Sequence, residues 1–125
     1  MVEFTLVLLP VVLLVMGLAS FGVALNSWID ETHLASAAAR FFAVNQNPGG
    51  ESLSAWIKTH GDNENVRNAT ATICSPASAV GDYVEVRLKY NQKWLLASFG
   101  PSTTITSTAQ MRIEVPPSTP YPTAC

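Results

Sequence analysis

Glu3, Cys74 and Cys125 are the residues whose types and positions point to chemistry. Glu3 stands in front of 22 residues, Phe4 to Leu25, that carry no charge. A carboxylate at the mouth of such a run is costly in lipid unless it meets a partner, so its expected chemistry is charge pairing. Cys74 and Cys125 both lie in the polar half of the chain. They favour one disulfide if that half sits outside the cytoplasm, and two thiols if it does not. No other residues form a reactive set. His33 and His60 lie far apart, with no Cys or carboxylate at metal-site spacing, and there is no Gly-rich phosphate loop. Ser98 and Ser102 have neither a nucleophile elbow nor a base partner. Glu85 and Glu114 neighbour Arg87 and Arg112 in expected strands, where cross-strand charge pairing accounts for them. No catalysis, cofactor or metal is therefore expected.

The run that Glu3 introduces is the element on which the rest depends. At about 1.5 Å per residue, a helix over Phe4 to Leu25 covers roughly 33 Å, enough for a bilayer core of about 30 Å. Three readings fit it: a membrane anchor, a cleaved secretory signal, and a pilin helix that is an anchor first and a packing element later. Gly22-Val23-Ala24 resembles a small-residue cleavage site, but a basic n-region is missing and the apolar run is long for a signal. Pro10 removes one helical hydrogen bond and tends to loosen the preceding turn. Gly17, Ala19, Ser20, Gly22 and Ala24 crowd the second half, and small residues allow helices to approach closely in lipid.

The helix is expected to continue through Asn26 to Gln46, which contains no Pro or Gly. Trp28, Ala35, Ala39 and Phe42 fall on one face of it, with Asp30, Glu31, His33 and Arg40 at polar positions. Asn47-Pro48-Gly49-Gly50 is the stop signal. The result is one helix of some 45 residues, about 65 Å long. Glu51 to His60 reads as a short amphipathic helix through Leu53, Trp56 and Ile57. The period then changes to two. Val66 to Cys74 and Tyr83 to Tyr90 are expected strands, the second with Val84, Val86, Leu88 and Tyr90 on its apolar face. A third runs from Thr103 to Val115, with Ile105, Met111, Ile113 and Val115 available for burial. Lys93 to Phe99 is ambiguous between strand extension, short helix and loop. The tail Pro116 to Cys125 has four prolines and can be neither helix nor central strand.

The fold class is thus α+β, with a helix over 1–46 and a small head of short helix and about three antiparallel strands over 47–125. Such a head has a small core and would gain from a covalent staple. A net charge of −2 with seven Lys and Arg leaves no basic footprint for nucleic acid. Asn68-Ala69-Thr70 matches the N-glycosylation acceptor pattern, and the Ser-, Thr- and Pro-rich stretches Pro101–Thr108 and Pro116–Thr123 suit either O-glycosylation or plain polar loops.

Val2-Glu3-Phe4-Thr5-Leu6-Val7-Leu8-Leu9-Pro10 resembles the opening of TadE-like pseudopilins of the tight-adherence (Tad) pilus systems. Gly17, Gly22 and Ala37-Ala38-Ala39-Arg40 are similar to that family's continuation, and Thr108 to Glu114 to its closing strand. The resemblance implies an inner-membrane precursor that is trimmed by a prepilin peptidase and handled by the pilus assembly machinery. It also implies a chain built into or onto a type IV-like filament, without deciding whether it is the bulk subunit. The apolar helix, which needs like helices to cover it outside lipid, adds the expectation of a homopolymeric extracellular filament for cell adhesion. Glu3 would then pair with a neighbouring subunit's N-terminal amine. Glu3, Pro10, Gly17, Ser20, Gly22 and Ala24 are the expected assembly residues. In type IV pilins the Glu lies five residues after the cleaved Gly. Here it is third with no Gly before it, so the mature N-terminus is left open. A minor pseudopilin, or a single-pass surface or secretion-apparatus protein that never polymerises, is the alternative.

Overall fold

A computed structural model of the chain describes residues 2–46, 50–92 and 102–125. The elements in order are α1 (Val2–Ala43), α2 (Leu53–His60), α3 (Glu64–Arg67), β1 (Thr70–Cys74), β2 (Tyr83–Gln92) and β3 (Thr103–Arg112). The fold is α+β: a long N-terminal helix and a three-stranded antiparallel sheet in the order β1-β2-β3. Lys93 to Phe99 and the Asn47-Pro48-Gly49 part of the stop signal lie outside the described residues.

The helix α1 is 42 residues long and runs through Pro10. The large apolar residues from Phe4 to Leu18 are exposed, while the second half of the helix is the head's main packing element. Leu34, Ala35, Ala38, Ala39 and Phe42 are buried against Val86 and Leu88 of β2, together with Trp56 and Ile57 of α2 and Val66 of α3. The run of alanines lets the sheet sit close on the helix, and the larger side chains come from the opposing strands. The α1 terminus is closed at every carbonyl. Asn45, with φ of 48°, takes the left-handed position, and Asn tolerates it through its short polar side chain. Its amide donates to the Phe42 carbonyl and the Gln46 amide to that of Phe41, the two bonds of a Schellman motif. The Ala43 carbonyl accepts from the amides of Glu114 and Val115, so the end of the sheet completes the cap of the helix.

Strand alternation builds the rest. Val84, Val86 and Leu88 are fully buried, while Tyr83 and Lys89 face out. The pairing Val86↔Ala109 and Leu88↔Ser107 sets β3 beside them, and Ile73↔Val86 sets β1. Three details differ from the sequence expectation. The first strand begins at Thr70, because Glu64–Arg67 forms a helical turn in which the Asn63 carbonyl accepts from both Val66 and Arg67 amides. Met111 and Val115 are exposed, and Ile113 closes that end of the sheet. Arg87 pairs with Glu85 two residues along its own strand at 2.7 Å, and the cross-strand partner of Glu85 is the Gln110 amide at 2.8 Å. Hydrogen bonds from Gln110 and Arg87 hold the Glu85 carboxyl below its ordinary range.

Leu88 has no exposed surface and belongs to the same buried cluster as the alanine stripe of α1 and Val66. Leu88→Ala is expected to cost about 3 kcal/mol, from lost transfer energy plus a cavity that the helix-backed sheet cannot collapse. Urea unfolding of the detergent-solubilised chain measures it.

Candidate functional site

The apolar half of α1 is long and apolar enough to cross a membrane by length and composition. It is also uncovered. Phe4 is 72% exposed, Leu6 75% and Leu18 65%, and the Val and Leu residues between them are exposed as well. A helix with apolar residues on all sides needs an apolar surrounding on all sides. Among the described residues nothing supplies one.

The expected assembly residues are distributed along that half. Glu3 lies exposed in the first turn. Pro10 is inside an unbroken helix, which lipid-facing helices tolerate when local adjustments satisfy the freed carbonyl. Beyond their own stretch of helix, Gly17 and Gly22 have no described atom within 4 Å of the place a Cβ would occupy, so nothing described in the subunit requires glycine at either position. Ser20 is buried, and its hydroxyl donates to the Met16 carbonyl at 2.9 Å. Ala24 is half-buried. Thus Glu3, Gly17 and Gly22 present open surface, whereas Ser20 is already committed within the subunit. Asn68 is exposed just before β1, accessible as the acceptor pattern requires.

Cys74 and Cys125 form a disulfide, with their Cα atoms 5.5 Å apart across a sequence separation of 51. The bond ends a strap. From Val115 the tail passes Pro116, whose carbonyl accepts from the Asn45 side chain at 3.3 Å. Tyr121 then lies edge-on to Phe42, with ring centres 6.3 Å apart, and its hydroxyl donates to the Phe42 carbonyl. The amide of Tyr121 donates to the Ser78 hydroxyl, and the Pro122 carbonyl accepts from the Ser75 amide. The prolines suit this path, since a strap needs extended backbone and few donors.

Glu31 departs from its sequence expectation. It is buried, at 1% exposure, in the seam between α1 and the sheet, whereas the spacing assigns it to solvent and gives the inner face to Trp28. Trp28 is 49% exposed instead, and the residue beside it, Ser27, is buried. The buried stripe of α1 runs Ser20, Ser27, Glu31, Leu34, Ala35, Ala38, Ala39 and Phe42. Its upper part is apolar and its lower part is polar. Counting back seven residues from Ala38 reaches Glu31, and four more reach Ser27, so the signal is present in the period but not in the polarity. Burial raises the Glu31 carboxyl from 4.5 to about 7. The hydroxyl and backbone of Ser107 on β3 approach it and partly offset that rise, although among the described residues neither carboxylate oxygen has a partner within strict hydrogen-bond geometry.

No curated protein and no solved structure matches the chain. The first 40 residues, which carry the uncovered half of α1 and most of the stripe that closes on the sheet, match the family model described as TadE-like protein.

Proposed function

We propose that this chain is a structural subunit of a Tad-type, type IV-like pilus, polymerising through the first half of α1 into an extracellular filament. The carrying observation is the division of one helix into two halves. One half has its partners within the chain, in a head closed by a disulfide. The other half leaves its large apolar residues uncovered. A subunit of this form rests in the cytoplasmic membrane before assembly, where lipid covers the apolar half, and afterwards needs other copies to cover it. The TadE-like match supports the association with a pilus, and the N-terminal apolar helix supports membrane insertion. Prepilin peptidase and the assembly machinery are the implied partners, and adhesion is the implied use of the fibre.

Sheared surface fibres test the reading. Many copies of this chain along each fibre are expected. A few copies per fibre would make it a minor pseudopilin, and fibres lacking it altogether would make it a single-pass membrane protein of the apparatus. Glu3 gives a finer test. In a helical core its carboxylate would pair with the N-terminal amine of a neighbour, because either charge left alone there costs several kcal/mol. Glu3→Ala is expected to leave membrane insertion unchanged and to lower fibre yield at least several-fold, as measured by immunoblot of membrane and sheared fractions. Normal yield would remove Glu3 from this role.

A further inference from the structure

We propose that Glu31 is a proton switch in the seam between α1 and β3, keeping the lower end of that seam closed while it carries its proton and opening it to water once ionised. The switch operates whether or not the chain polymerises.

The geometry carries it. Glu31 is buried where the polar part of the α1 stripe meets the sheet; Ser107 is its nearest polar neighbour, and among the described residues neither oxygen meets a well-formed hydrogen bond. Ser27, one turn earlier on the same face, is also buried, and its hydroxyl has no partner among the described residues. Ser107, opposite on β3, already shares a hydrogen bond with the Thr32 hydroxyl at 3.2 Å. A neutral carboxylic acid can be held in such a place at modest cost, but an ionised carboxylate without a countercharge cannot.

No countercharge is in place among the described residues. On α1, Asp30 accepts from the Asn63 amide, and His33 is exposed beside Asp62 and Glu64, in a groove whose charged groups are mostly acidic. Arg40 is more than two turns further up and exposed. On β2, Arg87 and Lys89 alternate to the far face with Glu85. The inner-face phenol Tyr90 is pushed upward by burial and stays neutral in this range. From α2 and α3, His60 stacks on Trp56 and Arg67 donates to the Gly61 carbonyl. No described cation bonds to Glu31.

Burial therefore works against ionisation. The group binds its proton more tightly folded than unfolded, with a folded value of about 7 against 4.5. Its contribution is most favourable below pH 4.5, declines as pH rises to about 7, and is constant above that. Through this window the equilibrium for opening the seam grows by on the order of 100-fold or more. The upper end does not share the change. There Ile113 donates to the Asp82 carbonyl at 2.7 Å, and the packing is apolar.

The test is amide hydrogen exchange of the full chain in detergent micelles from pH 4 to 8, corrected for the intrinsic rate, together with a carbon-13 titration of the Glu31 carboxyl. In the native chain, protection of the β3 amides around Ser107 should fall at least tenfold between pH 4.5 and 7 and level off above that, while the Ile113 amide stays level. In Glu31→Gln, protection around Ser107 should be flat across the range. A Glu31 midpoint near the ordinary 4.5 overturns the proposal, as does protection around Ser107 that is flat in the native chain or that falls equally in Glu31→Gln. If Glu31→Gln does not fold, the titration and exchange profile of the native chain decide alone.

Discussion

Gly22→Leu is expected to insert into membranes normally, to leave the head folded, and to lower fibre yield by at least tenfold. Position 22 is open among the described residues, with no atom beyond its own stretch of helix within 4 Å of the place a side-chain carbon would occupy, so a leucine there has room beside its own helix. In lipid it adds one more apolar side chain to a surface already apolar. The difference arises on leaving the membrane. The exposed residues from Phe4 to Leu25 would then meet water, and at roughly 25 cal/mol per Å² of apolar surface the exposure costs tens of kcal/mol. Packing against other copies of the same helix is what can offset that cost, and close approach of helices depends on small residues at the contact. A leucine at position 22 holds neighbours apart along that contact. Quantifying the chain in sheared and membrane fractions, with circular dichroism of the detergent-solubilised variant as the folding control, measures the effect. Unchanged fibre yield would show that Gly22 lies outside the packing surface.

Replacing Cys74 and Cys125 together by Ser is expected to destabilise the head by about 4 kcal/mol, from the loop-closure entropy of the 51-residue separation. That is a large fraction of the ~5–15 kcal/mol that holds a typical domain folded. The loss should begin in the strap. Tyr121, Pro122 and the bonds to Ser78 and Ser75 are tied to the sheet by the disulfide at their far end. Without it, Tyr121 withdraws from Phe42, and the second hydrogen bond to the Phe42 carbonyl is lost at the α1 terminus. Urea titration under oxidising and reducing conditions measures the difference in midpoint. Limited proteolysis should cut first between Pro116 and Cys125. Equal midpoints for the oxidised chain and the double Ser variant would show that the strap holds through its hydrogen bonds and the Phe42 contact alone.

Local pattern is enough to specify several parts of this protein. A single charge-free run satisfies its backbone in lipid as a continuous helix, and the alanine-rich stretch after it, free of glycine and proline, lets that helix run on. Val84, Val86 and Leu88 alternate with Glu85, Arg87 and Lys89, and only a strand separates those sets onto two faces. The prolines of the tail exclude helix, and its terminal cysteine offers the means to pin it. The resemblance carried by residues 2–10 points to the same family whose model matches residues 1–40.

Contacts between distant segments decide the rest. Whether Cys74 and Cys125 meet depends on how the strap crosses the end of α1, which no spacing encodes. Arg87 can satisfy Glu85 along the strand because Gln110, brought opposite by the β2–β3 register, leaves one oxygen for it. The face of α1 that turns inward is set by where the sheet lies. Apolar periodicity marks such a face only where the buried residues are apolar. In the upper half they are, and Ala35, Ala39 and Phe42 lie on the face that their spacing predicts. In the lower half the stripe carries Ser27 and Glu31, so the apolar Trp28 draws the expected face aside by one residue, about 100° around the helix. A buried acid has no signature of its own in a sequence, because its burial is a property of the strand that covers it.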